Sequence, residues 1–187
     1  MPGIRSFIAL PIPSHAQQAI AEIQAKLKAP QADVKWESQD KFHITLFFLG
    51  NVEQSKLELL PTALANSIQQ FQSFTTTYES VGAFPNIHNP RVIWVGITSN
   101  QTVLDIQSMV ERVCAEFGFP REDRKFHPHI TLGRVKGIRN LARLTEAIKT
   151  ITFEPIETLC SEILLMKSEV HPSGSIYTIL KSFPFHT

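Results

Sequence analysis

The sequence predicts an α+β fold made of two similar halves, on three observations. The tetrapeptide His-Ile-Thr-Leu occurs twice, at His43–Leu46 and at His129–Leu132, 86 residues apart. Composition would supply a second copy by chance in about half a per cent of such chains. Around each copy the hydrophobic pattern repeats in one order: helix, motif strand, helix, strand, strand. No Gly-, Ser- or Pro-rich linker divides the two units, each roughly 85 residues long. Residues 1–187 are therefore expected to form a single domain of two pseudo-symmetric lobes, with equivalent strands facing each other across a cleft.

In chain order, Arg5 to Ile12 reads as a strand ended by Pro11 and Pro13. Ser14 is placed to cap a helix with Ala16, Ile20, Ile23 and Leu27 on one face, and Pro30 stops it. A polar loop carrying Trp36 leads to the first motif strand, which ends at Gly50. From Glu53 to Phe71, Leu57, Leu60, Leu64, Ile68 and Phe71 fall at helical spacing, with Pro61 as a kink or a late start. Phe74–Val81 and Arg91–Thr98 read as strands joined by the loop Gly82–Asn86. Val103, Ile106, Val110, Val113 and Phe117 then define a helix closed by Gly118. A basic loop and the second motif strand follow, then a helix through Leu141, Leu144, Ile148 and Ile151. Strands at Thr158–Lys167 and Ser175–Phe183 close the chain, joined by a turn at Pro172-Ser173-Gly174.

The motifs carry the chemistry. Alternate residues of a strand share a face, so His43 and Thr45 point one way while Ile44, Leu46 and Phe48 point the other. His129 and Thr131 likewise oppose Ile130 and Leu132. Two such strands across one cleft would offer two imidazoles and two hydroxyls to a small anion. A strained phosphodiester needs a base for the attacking oxygen and an acid for the departing one. With unperturbed pKa values of about 6.5, one neutral and one protonated imidazole can divide that work near pH 7. The threonine hydroxyls can hold non-bridging oxygens.

A net charge of +1 argues against a broad, charge-driven duplex binder. Yet 7 of the 18 Lys and Arg lie between Arg121 and Arg143, around the second motif, where they can attract an anionic substrate. Two cysteines, Cys114 and Cys160, make no disulfide framework or metal spacing and read as buried free thiols. The start lacks a signal-peptide pattern and no apolar run reaches membrane-spanning length, so a cytoplasmic protein with no membrane contact is expected.

With its paired His-x-Thr motifs the chain resembles the two-histidine (2H) phosphoesterases, and within them the RNA 2′,3′-cyclic phosphodiesterases also described as 2′-5′ RNA ligases. The resemblance runs over nearly the whole chain. It includes Arg5–Ala9, Trp36, Phe48-Leu49-Gly50, Gly82–Pro85, Arg91–Gly96, Phe126 with Pro128, and Gly174 with Tyr177. It implies a bilobal fold with two antiparallel sheets lining a central groove and helices outside. It also implies hydrolysis of a 2′,3′-cyclic phosphate, at RNA 3′ ends or on nucleosides, to a 2′-phosphomonoester. No cofactor and no metal are implied, and the protein is expected to be a monomer. By the resemblance His43 is the general acid and His129 the general base, a choice that the matching motifs leave open on chemistry alone. Thr45, Thr131 and Arg134 would bind the phosphate. Strict alternation sets Arg134 on the face away from His129, so its participation requires a bulge or a strand end.

Phe7, Phe84 and Phe126, with Trp94, could stack on a base, against core packing as the plainer role. Lys35, Lys41 and Arg91 are possible RNA-backbone contacts. His127 shares a face with His129 but has no carboxylate at ligand spacing, which favours a loop or supporting role over a metal. His15, His88, His171 and His186 read as surface residues. Two alternative functions stand beside hydrolysis: 2′-5′ RNA ligation by the reverse chemistry, and a non-catalytic RNA-end binding module. The chain has no ATP-binding glycine loop for an energy-coupled ligase.

Overall fold

The structure is a computed structural model describing residues 3–98, 100–172 and 174–186. Among these residues nine strands and four helices follow one another as β1 (Ile4–Pro11), α1 (Ser14–Lys28), β2 (Val34–Trp36), a 3-10 turn (Gln39–Lys41), β3 (His43–Val52), α2 (Gln54–Ile68), β4 (Phe74–Phe84), β5 (Val92–Ile97), α3 (Gln101–Glu116), β6 (His129–Val135), α4 (Leu141–Thr150), β7 (Ile156–Cys160), β8 (Glu162–His171) and β9 (Gly174–Pro184).

The apolar stripes of the helices are buried as their spacing predicts. Ala16, Ile20, Ile23 and Leu27 of α1, Val103, Ile106, Val110 and Val113 of α3, and Leu144 and Ile148 of α4 all join one core. Each such side chain contributes about 1.5–3 kcal/mol by leaving water. That core also holds Ile44, Leu46, Ile130 and Leu132, the backs of the two motif strands. The motif histidines and threonines are thereby left on the open face.

Several local expectations are corrected. Ser14 is the first helical residue of α1 rather than its cap; Pro13, extended at ψ 149, takes that place and its carbonyl accepts from the Gln17 N–H. Helix α2 runs through Pro61 without ending there. The full burial of Leu60, Leu64 and Ile68 offsets the hydrogen bond that proline cannot donate. Trp36 lies in the short strand β2 instead of a loop, and β4 extends to Phe84, with the Phe84–Pro85 peptide cis. The last expected pair of strands is three, because Ser161 separates β7 from β8. Ser173, at the centre of the expected turn, lies outside the described residues, as do Met1 and Pro2 of the chain start.

The strands form one antiparallel path in the order β7-β4-β5-β6-β3-β1-β8-β9, with β2 added to β6. Its order crosses the sequence repeat. The β4–β5 hairpin of the first repeat pairs with β6, the second motif strand. The β8–β9 hairpin of the second repeat pairs with β1 beside β3, the first motif strand. The two antiparallel sections meet at one bridge, Ile44 opposite Ile130, the second residue of each motif. The two expected sheets are thus continuous through the motifs themselves.

Candidate active site

Both motifs open onto a groove of about 1360 Å³, lined by His43, Thr45, His129 and Thr131 together with Arg134 and Tyr177. Each imidazole is held the same way. His43 Nδ1 lies 2.7 Å from the Lys41 carbonyl, and His129 Nδ1 lies 2.7 Å from the His127 carbonyl. A carbonyl can only accept, so each Nδ1 carries a proton and each neutral ring keeps its lone pair on Nε2. Aromatic rings set the orientation further. Phe7 lies 4.9 Å from the His43 ring and Tyr177 meets it edge-on at 5.4 Å, while Phe84 meets His129 edge-on at 4.9 Å.

The motifs differ at Nε2. That of His43 lies 3.0 Å from the Thr45 hydroxyl, whereas among the described residues His129 Nε2 has no such partner.

A β-bulge follows each motif threonine. Ala9 pairs with Thr45 but Ile8 with Phe47, leaving Leu46 as the extra residue. Trp94 pairs with Thr131 but Ile93 with Gly133, leaving Leu132 extra at the equivalent position. Each bulge shifts the alternation by one, so the fifth residue after each histidine returns to the groove face. Those residues are Phe48, 56% exposed, and Arg134. The bulge that Arg134 requires is present, and the expectation that Phe48 points away from His43 is corrected by its counterpart.

Gln24 supports the second bulge. This α1 residue is 3% exposed, and its amide donates to the Leu132 carbonyl at 2.9 Å and the Glu37 carbonyl at 2.7 Å. Its signal in the sequence is a polar residue one helical turn from Ile20, inside the α1 stripe.

Burial is the main cause that holds both histidines below their ordinary value of 6.5. The Lys41 carbonyl opposes it at His43, and the charge of His129 adds to it. At His129 the His127 carbonyl opposes it, and the charges of His127 and Arg134 add to it. The free groove therefore favours two neutral imidazoles near pH 7 rather than one neutral and one protonated. An arriving phosphate anion reverses part of that shift, because it favours imidazolium. Burial also raises Tyr177, Glu37 acting with it and Ser175, Arg134 and Arg5 against it.

Other expected residues divide. Phe84 and Phe126 are half-buried on the groove wall. Phe7 touches the groove but takes the plainer, packing role: it is 3% exposed and its ring packs on His43 and Tyr177. Trp94 packs against Phe84 and His127. Lys41, Arg91, Arg124 and Lys125 line the groove. His127 sits between Phe84 and Trp94, and among the described residues no group of three His, Cys, Asp or Glu could hold a metal. His15, His88, His171 and His186 are exposed. Cys114 and Cys160 are buried thiols, pushed up to about 12 and about 11, chiefly by burial. No described helix is long and apolar enough to cross a membrane.

These features agree with what the chain resembles among known proteins. Residues 10–94 and again 95–177 match the LigT like phosphoesterase family, one match for each motif, and the chain belongs to that family. An RNA 2′,3′-cyclic phosphodiesterase of Methanothermobacter thermautotrophicus is 32% identical over 96% of this chain and 98% of its own. One from Thermotoga maritima is 31% identical, covering 97% and 96%. Escherichia coli LigT, solved in complex with 3′-AMP, superposes with a TM-score of 0.79 at 26% identity over the whole of both chains. The chain is thus an enzyme of the phosphoesterase class.

Proposed function

We propose that the protein hydrolyses 2′,3′-cyclic phosphates at RNA 3′ ends, or on nucleosides, to 2′-phosphomonoesters by metal-free two-histidine catalysis. The observation that carries this reading is the pair of Nδ1-anchored imidazoles on one groove that both motif threonines also line. His129 Nε2 takes a proton from water as the water oxygen bonds to phosphorus. The phosphorus–O3′ bond breaks, and His43 Nε2–H delivers its proton to that oxygen. Arg134 supports this division, since its charge favours neutral imidazole at His129 and is not among the influences on His43. Thr45, Thr131 and Arg134 hold the non-bridging oxygens where charge develops.

The relatives named for this activity span nearly the whole chain, and the 3′-AMP complex of E. coli LigT shows a ribonucleotide on a neighbouring protein of this fold. Phe48 is the exposed aromatic beside the first motif and offers the base a stacking surface. The protein would act as a monomer in a reducing cytoplasm, consistent with its two buried thiols.

Phosphorus NMR of 2′,3′-cyclic AMP hydrolysis in EDTA tests the reading. We expect a 2′-monophosphate signal from the wild type and rates lower by several orders of magnitude in His43→Ala and His129→Ala. Near-wild-type turnover in either variant, or dependence on added metal, overturns it.

A further inference from the structure

We infer that Lys35 and Lys41 form a second phosphate subsite, which takes the phosphodiester upstream of the cyclic phosphate in an RNA strand. The inference rests on the hydrolytic reading above and names a larger substrate for the same site. Lys35 of β2 stands directly opposite Arg134 of β6 in the strand register. Like charges facing each other across a pair of strands are destabilising. Neither lysine is in an ion pair: among the described residues the one found is Lys167–Glu169. Lys41 and Glu37 line the groove, Lys35 stands outside its lining, and Glu37 bridges to neither lysine.

The two ammonium groups approach one glycine, Lys35 from an exposed position and Lys41 from a half-buried one. A Cβ built on Gly174 would lie 3.6 Å from Lys41 Nζ and 3.9 Å from Lys35 Nζ. Gly174, at φ +132, leaves the space between them open, in a backbone conformation that side chains rarely adopt. Arg134, Lys35 and Lys41 thus form a cationic row that leaves the reaction centre and ends in a small-residue gap.

The row also lies at a useful distance. Gly174 is three residues from Tyr177, about 10 Å along an extended strand, and the Tyr177 ring meets His43. Lys41 is two residues before His43, and its carbonyl holds that imidazole. A strand whose terminal cyclic phosphate sits between the histidines would bring an upstream phosphodiester to the two lysines within one or two nucleotides. A nucleoside 2′,3′-cyclic phosphate has no such group.

The test compares kcat/KM at low salt for 2′,3′-cyclic AMP, for the dinucleotide ApA ending in a 2′,3′-cyclic phosphate, and for that dinucleotide with a neutral methylphosphonate linkage. We expect the wild type to favour the charged dinucleotide by about tenfold and to lose that preference for the methylphosphonate, which keeps both bases. Lys35→Met and Lys35→Met/Lys41→Met should lower the preference without the neutral linkage, and flatten its dependence on salt. Equal efficiency on the mononucleotide and the charged dinucleotide overturns the inference alone. So does a dinucleotide preference that survives the neutral linkage, which assigns it to the second base. Turnover of none of the three overturns the hydrolytic reading and the inference together.

Discussion

At the scale of single residues, the two histidines are alike in how they are held and unlike in what surrounds them. Each gives its Nδ1 proton to a carbonyl two residues earlier. Only His129 is influenced by Arg134, and only His43 bonds a threonine hydroxyl through Nε2. Since burial lowers both pKa values from 6.5 in the free protein, the sign of the pH dependence follows. The kcat/KM profile reports the free enzyme, so both limbs of its bell should lie below 6.5. Phosphate in the complex raises both groups, so the kcat profile should be displaced to higher pH. Initial rates from acid through alkaline pH check both statements; a kcat/KM optimum above the ordinary imidazole value of about 6.5 contradicts the first. The pairs His43–Thr45 and His129–Thr131 were readable in the sequence because two residues of separation keep a strand face. Phe48 and Arg134 were not, because an odd separation returns to that face only across a bulge, and nothing in Leu46 or Leu132 announces one.

Among the elements, the helices were the most legible, since their apolar periodicity matches the buried stripes of α1, α3 and α4. Strand β2 was not, being three residues long and held by close approach rather than by pattern. A Cβ on Gly133 would stand 2.7 Å from Val34 Cγ1, so glycine there lets β2 lie against β6. The same region contains the Gln24 clasp on the Leu132 carbonyl, which fixes the bulge that presents Arg134. Gln24→Leu leaves the Glu37 carbonyl short of a partner and should cost about 1–3 kcal/mol. Because the bulge also aims Arg134, kcat/KM should fall while the denatured fraction at assay temperature stays small. Denaturant titration and steady-state kinetics on one preparation separate the two effects. Wild-type values in both would show that the clasp positions nothing.

Over the whole molecule, the repeated order of helices and strands was visible in the sequence, but the exchange of hairpins between repeats was not. Periodicity identifies a strand without naming its partner, and β4–β5 carries no mark that directs it to β6. The exchange has a consequence for folding, and we propose that the chain behaves as one cooperative unit. Residues 1–98 or 100–187 expressed alone should each lack a cooperative unfolding transition by circular dichroism; a stable, separately folded half would contradict this. The same exchange makes each histidine depend on both repeats, since Tyr177 orients His43 and Phe84 orients His129.

In the proposed reaction these two imidazoles have unlike roles, His43 as acid and His129 as base. This assignment is tested most directly by replacing the bridging 3′ oxygen of the cyclic phosphate with sulfur, because a thiolate leaves without needing a proton. Sulfur should restore turnover to His43→Ala by at least about a hundredfold, the scale of a general-acid contribution, and leave His129→Ala inactive. Rescue of His129→Ala instead, or of neither variant, would contradict the assignment.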